Sequence, residues 1–369
     1  MNPLKLKPIQ RVVVKVGSAL LTPNGPLGPQ AFTHIAQGIS DCITRGIHIA
    51  LVSSGAIAQG RLARGLTARP RRISTAQALA ALGQPLLMQR WAEALKPHSV
   101  AQVLLTQSDI DDPTRFFNAR RALEALERAA IIPIGNENDT VATDEIKIGD
   151  NDTLAAHIAR VVNADLLILL TQVDGLYTAN PEEDRNAEKV SLVTPHDEVW
   201  GFASQSSKDG WGRGGMRTKL SAAEIAGQAG IPTVIAHGAT PIPELLNQPS
   251  LGTLFLPHRS PSEALRDRWP VCGELWVTEA GSTAIFSQQC LELTHIQRAL
   301  GSFSRGDVVE LCSVEYGPIG RSLVAYGDAE LRRVIKSPAD LKRTPESLLG
   351  ENFDGPVCTP RDWALTYSH

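Results

Sequence analysis

The sequence predicts an α/β protein, a three-layer αβα fold around a mainly parallel sheet, followed by a small β-barrel-like domain. Three observations lead to this reading. Short Val/Ile/Leu runs recur along the first two thirds of the chain, segments of helical spacing lie between them, and the pattern changes beyond residue 252. Buried strands alternating with helices imply βαβ units, whose sheet is covered on both faces and whose ligands bind beyond the strand carboxyl ends.

The strand-like runs are residues 12–16, 49–52, 101–105, 131–134 and 166–170. Between the first two, Phe32, Ile35, Ala36, Ile39, Cys42 and Ile43 fall on one face of a helix. Further helices are expected at 76–95, 114–128, 153–162 and 216–229. Past the short apolar run 252–256, Pro257, Pro261 and Pro270 bracket a polar stretch that suits a linker. The expected division is a first domain over 1–257, a linker over 258–270, a second domain over 271–350 and a tail over 351–369. In the second domain, 274–278, 284–286, 307–311 and 322–326 are β-leaning and separated by glycine-containing turns.

A length of 369 residues exceeds one ordinary domain of ~100–200 residues, in keeping with two units. The net charge of −3 gives no global attraction to nucleic acid or to an anionic membrane. The first ten residues lack the apolar stretch of a signal peptide, and no run approaches the ~20 apolar residues of a membrane span. Cys42, Cys272, Cys290, Cys312 and Cys358 are odd in number and never form C-x-x-C, which suits reduced thiols in a cytoplasmic protein. The nine histidines make no zinc signature, and His157, on an expected helix, reads as a surface or packed residue.

Chemistry concentrates in the loops. Lys15, Gly17 and Ser18 follow the first strand and bring a cation, a permissive glycine and a hydroxyl to its end, a combination suited to phosphate. Residues 53–56, Ser-Ser-Gly-Ala, repeat that logic after the next strand, where a serine N-cap closing an ordinary βα loop is the alternative reading. Two acidic, amide-rich turns follow, Gly-Asn-Glu-Asn-Asp at 135–139 and Gly-Asp-Asn-Asp at 149–152. Single members can be helix caps, but so many carboxylates close together repel one another unless a cation lies between them. The run 210–219 matches G-x-G-x-x-G literally but lacks the preceding strand of a dinucleotide fingerprint, and Lys219 lacks the glycine that a Walker A loop places before it. What remains is a basic loop with Arg213, Arg217 and Lys219 entering a helix, suited to polyphosphate.

In this order the motifs resemble the amino acid kinase family: VVVKVGSALLT from Val12, VSSGAIAQG from Val52, NENDTVATDEIKIGDND from Asn136, LLTQVDGLYTANP from Leu169 and GRGGMRTKL from Gly212. Within it the whole chain is similar to the members that phosphorylate the side-chain carboxylate of glutamate in proline synthesis. GSFSRGDVVEL from Gly301 and IGRSLVAYGDAELRR from Ile319 look like a PUA domain. The resemblance implies ATP and Mg²⁺. It places Lys15, Gly17 and Ser18 on the ATP phosphates, and Arg213, Gly214, Gly215, Met216, Arg217, Thr218 and Lys219 in the nucleotide loop, with Lys219 facing the transferred phosphoryl group. Ser54, Asp139 and Asn151 would hold L-glutamate, Asp152 would organise Lys15 and Lys219, and Thr171 and Gln172 would line the nucleotide site. Gln172 stands where relatives commonly carry aspartate. Further implications are proline as a feedback inhibitor, glutamyl phosphate reductase as a partner and a homo-oligomer, and the charge and hydropathy pattern leave no membrane partner expected.

Two other readings compete. One is a related kinase acting on acetylglutamate, aspartate or carbamate. The other is an RNA-binding protein whose kinase-like part is secondary. Residues 271–369 carry nine Lys/Arg against thirteen Asp/Glu, which disfavours backbone-driven RNA affinity, although Arg332, Arg333 and Lys336 could form a local basic patch.

Overall fold

The computed structural model describes residues 8–68, 70–142, 151–179, 181, 184–200, 215–259, 270–335, 349–350 and 355–366. The chain divides into two compact units, residues 1–110 with 119–258, and residues 111–118 with 259–369.

The first unit carries β1 (Arg11–Val16), α1 (Ala31–Thr44), β2 (His48–Ser53), α2 (Ala56–Ala63), α3 (Ile73–Ala94), β3 (Val100–Leu105) and α4 (Gln107–Asp111, whose last residue falls in the second unit). Helix α5 (Pro113–Arg128) begins among the residues of the second unit and ends among those of the first. The first unit continues with β4 (Ile132–Glu137), α6 (Asn151–Val161), β5 (Leu166–Thr171), β6 (Leu176–Tyr177), β7 (Lys189–Val190), β8 (Leu192–Val193), α7 (Gly215–Gln228), β9 (Thr233–His237), α8 (Ile242–Asn247) and β10 (Thr253–Phe255). Eight strands form one sheet in the order β3-β4-β2-β1-β5-β9-β10-β8, parallel except where β10 meets β9, and β6 pairs with β7 apart from it.

Strand β1, Arg-Val-Val-Val-Lys-Val, is buried along its whole length because it lies inside the sheet with helices over both faces. Val12, Val14 and Val16 belong to a core that includes Ile35 and Ile39 of α1, Leu51 of β2, Leu87 and Trp91 of α3, Ile134 of β4 and Ile168 of β5. The ring of Phe32 lies 4.7 Å from that of Trp91, and the Arg90 guanidinium covers Phe32 at 4.2 Å.

Helices α2 and α3 approach closely. A Cβ on Gly60 would fall 2.0 Å from the Leu79 carbonyl oxygen, and one on Gly83 would fall 1.9 Å from that of Ala56. Both glycines are therefore required where they stand, and they fix how near α2 lies to α3.

The second unit contains β11 (Val271–Val277), α9 (Glu279–Phe286), β12 (Ile296–Gly301), β13 (Val308–Ser313), β14 (Gly317–Leu323), α10 (Asp328–Ile335) and β15 (Trp363–Leu365). Its five strands are ordered β12-β11-β13-β14-β15 around a core that holds Phe117, Leu275, Leu311, Ile319 and Tyr326. This is a small β domain. The strand expected at 284–286 is corrected to the end of α9. Thr278 caps that helix by accepting from the Gly281 N–H at 3.1 Å, and the small residues Gly281, Ser282 and Ala284 are buried. The other β-leaning segments fall on or beside strands, with 322–326 overlapping the end of β14 and β12 and β15 added. The 260–269 part of the expected linker lies outside the described residues.

Candidate active site

The parallel strands end on the same side, and Lys15, Thr171, Asn151, Asp152 and Lys219 lie at or beside those ends. Lys15 is the fifth residue of β1, Ser53 ends β2, Asn136 lies near the end of β4, and Thr171 ends β5. Asn151 and Asp152 open α6, and Lys219 lies in the second turn of α7.

Asp152 is the hub. Its side chain is 1% exposed, and its two oxygens face different cations: Oδ1 pairs with the Lys15 ammonium, and Oδ2 pairs with that of Lys219 at 2.9 Å. The Thr218 hydroxyl also donates to Oδ2, at 3.1 Å, and Lys219 Nζ donates to the Gly215 carbonyl at 3.0 Å. Burial alone would push the Asp152 carboxyl up. Lys15 and Lys219 outweigh that and hold it well below the ordinary carboxylate range. The partial positive charge at the start of α6 acts in the same direction. The result is a fixed anion with two ammonium groups anchored to it, a pair of cations around a single carboxylate.

Beside this group runs a chain of side-chain amides. Asn151 Nδ2 donates to the Ser53 carbonyl at 3.2 Å and to Asn136 Oδ1 at 2.6 Å. Asn136 Nδ2 donates to Gln84 Oε1 at 2.7 Å, and Gln84 Nε2 donates to Gln102 Oε1 at 3.0 Å. The Ser53 hydroxyl accepts from the Trp91 indole N–H at 2.8 Å, and the Ser54 N–H donates to the Val16 carbonyl at 3.2 Å. Gly55 has φ +116°, a conformation that glycine adopts readily, so the chain turns from Ser54 directly into α2.

Asp139 lies two residues past β4, half-buried, and burial pushes its carboxyl up to about 6. Gly17 donates its N–H to the Leu170 carbonyl at 3.3 Å, which places the start of the phosphate-suited loop against the end of β5, with Ser18 exposed after it. The Thr171 carbonyl accepts from the Gly238 N–H at 2.9 Å, and Gln172 is exposed beyond it. Met216 is half-buried and Arg217 exposed at the start of α7. Among the described residues, Asp139, Thr171 and Gln172 make no side-chain bond to the lysine–aspartate group. Arg213, Gly214, Gly149 and Asp150 lie outside the described residues.

The structure therefore joins Lys15, Asn151, Asp152, Thr218 and Lys219 with Ser53 and the turn that carries Ser54. Sequence reasoning missed Gln84, Gln102 and Trp91 as supports. Their signal was faint: a glutamine inside the apolar helical stretch ALAALGQPLLM at 78–88, a glutamine inside the strand VAQVLL, and an indole N–H that needs an acceptor once buried. His157 is packed and lies 3.1 Å from Arg160. All five cysteines are free thiols.

A sequence profile described as the amino acid kinase family matches residues 10–237. A glutamate 5-kinase of Azoarcus sp. (strain BH72) is 40% identical, covering 97% of this chain and 98% of its own. A glutamate 5-kinase of Escherichia coli (strain K12 / DH10B) is 39% identical over 97% of this chain and 99% of its own. The solved carbamate kinase from Giardia lamblia bound to AMP-PNP is 17% identical, covers 68% of this chain and 98% of its own, and has a TM-score of 0.48, too slight a likeness to carry an inference.

Proposed function

Because this chain belongs to the amino acid kinase family, we propose that it transfers the γ-phosphoryl group of ATP to the side-chain carboxylate of free L-glutamate, forming L-glutamyl 5-phosphate. The observation that carries the mechanism is the buried Lys15–Asp152–Lys219 group at the carboxyl end of the sheet. The naming of the substrate rests on the glutamate 5-kinases that match nearly the whole length.

A glutamate side chain of pKa ~4.3 is ionised at neutral pH and needs no general base to attack phosphorus. The difficulty is bringing one anion against another. Lys15 and Lys219 supply positive charge, while Asp152 keeps both aimed and takes no proton itself. Gly17 and Ser18, with 215–219 at the start of α7, hold the phosphates of ATP, together with Arg213 and Gly214, which precede that helix in sequence. Thr171 and Gln172 line the nucleotide at the end of β5. Ser54, Asn151 and Asp139 hold glutamate, with the Asp139 carboxylate facing the α-ammonium.

Mg²⁺ would arrive on the triphosphate and supply neutralisation of phosphate charge beside that of Lys15 and Lys219, while Asp152 serves the two lysines. The same reading makes proline, which shares the α-carboxylate and ammonium of glutamate, a competitor at the glutamate site. It also makes the labile acyl phosphate a reason for handoff to a glutamyl phosphate reductase in the cytoplasm. The second unit is read as a PUA domain that serves assembly of a homo-oligomer rather than RNA binding, in keeping with its acidic balance.

The test is turnover of Mg²⁺-ATP with glutamate and hydroxylamine, which traps the acyl phosphate as a hydroxamate, beside aspartate, acetylglutamate, carbamate and no acceptor. Glutamate-dependent hydroxamate is expected. Product with another acceptor alone would overturn the substrate, and ATP binding with no product would overturn the reaction.

A further inference from the structure

The amide chain beside Asp152 has a direction, and two one-way groups set it. The Glu137 backbone N–H can only donate, and it lies 2.9 Å from the side-chain amide of Asn136, so the atom facing it is Oδ1. The Ser53 carbonyl can only accept, so the Asn151 atom facing it is Nδ2. From these anchors each link runs the same way: Asn151 donates to Asn136, Asn136 donates to Gln84, and Gln84 donates to Gln102. Asn136, Asn151 and Gln84 are all buried, at 3, 8 and 9% exposure, where an amide facing its neighbour the wrong way round would leave two donors or two acceptors opposed.

Both hydrogens of Asn151 Nδ2 are thereby engaged, one on Ser53 and one on Asn136. Its side chain keeps only Oδ1, an acceptor, for a ligand.

We propose that Gln84 is a positioning residue for the amino-acid substrate: through Asn136 it locks the Asn151 amide so that Oδ1 is presented, which selects a substrate bearing an ammonium group. This rests on the reading that glutamate occupies the site beside Asn151 and Asp139. Gln84 touches neither substrate nor nucleotide in this scheme. Its Oε1 is the acceptor that holds the Asn136 Nδ2 donor, and with that acceptor gone Asn136 can turn and release Asn151. The hydrogen bonds of this chain converge on the Asn151 amide, which the reading gives to glutamate, whereas Lys15 and Lys219, which it gives to the phosphates, are held by the Asp152 carboxylate, so the effect is expected on glutamate rather than on ATP.

The experiment compares Gln84→Met, which conserves length and removes the acceptor, with Gln84→Glu, which keeps an acceptor toward Asn136 and leaves Gln102 to donate in turn. Michaelis constants for glutamate and ATP are measured at pH 7.5 by hydroxamate trapping, with thermal unfolding alongside. The expected result is about a tenfold rise in the glutamate KM of Q84M, as for loss of one hydrogen bond to a charged group. Its ATP KM should stay within about twofold, and Q84E should return toward wild type. Should Q84M not fold, Gln102→Met on β3 removes the next acceptor in the chain and is expected to shift the glutamate KM in the same direction by a smaller factor. An unchanged glutamate KM, an equal rise in both constants, or a Q84E as impaired as Q84M would each overturn the proposal. Wild-type protein that forms no glutamyl hydroxamate would instead sink the substrate reading on which it rests.

Discussion

Replacing Asp152 by asparagine keeps the shape of the side chain and removes a charge that holds two lysines. Lys219 Nζ stands 2.9 Å from Oδ2, and Lys15 pairs with Oδ1. At an effective dielectric of ~20, Coulomb's law gives about 6 kcal/mol of attraction for a pair at that distance, much of it cancelled by desolvation. Breaking a buried pair of this kind costs ~3–5 kcal/mol of stability, because the surviving charges stay buried without a partner. In turnover, losing the aim of charges that stabilise the transferring phosphoryl group should lower kcat by ~10²–10³. The glutamate KM should change by no more than about threefold. Steady-state kinetics by hydroxamate trapping, run below the unfolding midpoint of the variant, separates the two effects. A variant with near-normal kcat and a large rise in glutamate KM would refute the assignment of Asp152 as organiser of the lysines. Stability offers a second check with a definite sign. The folded-state carboxyl lies below its ordinary value of 3.8, so the contribution of Asp152 is complete above about that pH and is lost as pH falls toward the folded value. The gap in unfolding free energy between wild type and D152N should therefore narrow below pH ~4, and a gap that widens there would contradict the ion-pair account.

Lys219→Met should lower kcat by a similar ~10²–10³, a larger factor than its rise in ATP KM, read from the two steady-state constants. Asp139, with a carboxyl near 6, must be ionised to meet an ammonium group. The glutamate KM should thus rise toward tenfold per pH unit as pH falls below about 6, and this dependence should vanish in Asp139→Asn, as a pH series of KM would register. Trp91→Phe removes the donor to Ser53 Oγ and should cost about 1 kcal/mol in urea unfolding, with a smaller effect on turnover.

Much of the first unit was legible because its strands are short continuous apolar runs and its helices have a clear apolar face. The runs at 12–16, 49–52, 101–105 and 166–170 each fall within one residue of a strand at either end. Strand β4 was underestimated: it continues through Gly135, Asn136 and Glu137, polar residues that pattern alone reads as a turn, because the parallel partner β3 bonds alongside them. In the second unit the segment at 284–286 looked like a strand, yet the cap at Thr278 and the small residues after it make a helix, a case of packing overriding local preference. The lysine–aspartate group was legible from motif order. Gln84 and Gln102 were not, since a lone glutamine carries no mark of its partner 18 residues away in the chain.

Gly60 and Gly83 have a consequence for anyone who maps this protein by saturation mutagenesis. Neither glycine carries a functional group, yet α2, which begins at the turn bearing Ser54, can lie where it does only because both lack a Cβ. A deep mutational scan under selection for activity would rank these two positions with the catalytic lysines, and a map coloured by tolerance alone would draw the active site one helix too large. Assays of protein abundance run in parallel would sort the two kinds of intolerance, since the glycine variants should vanish from the folded pool while Lys219→Met should remain in it.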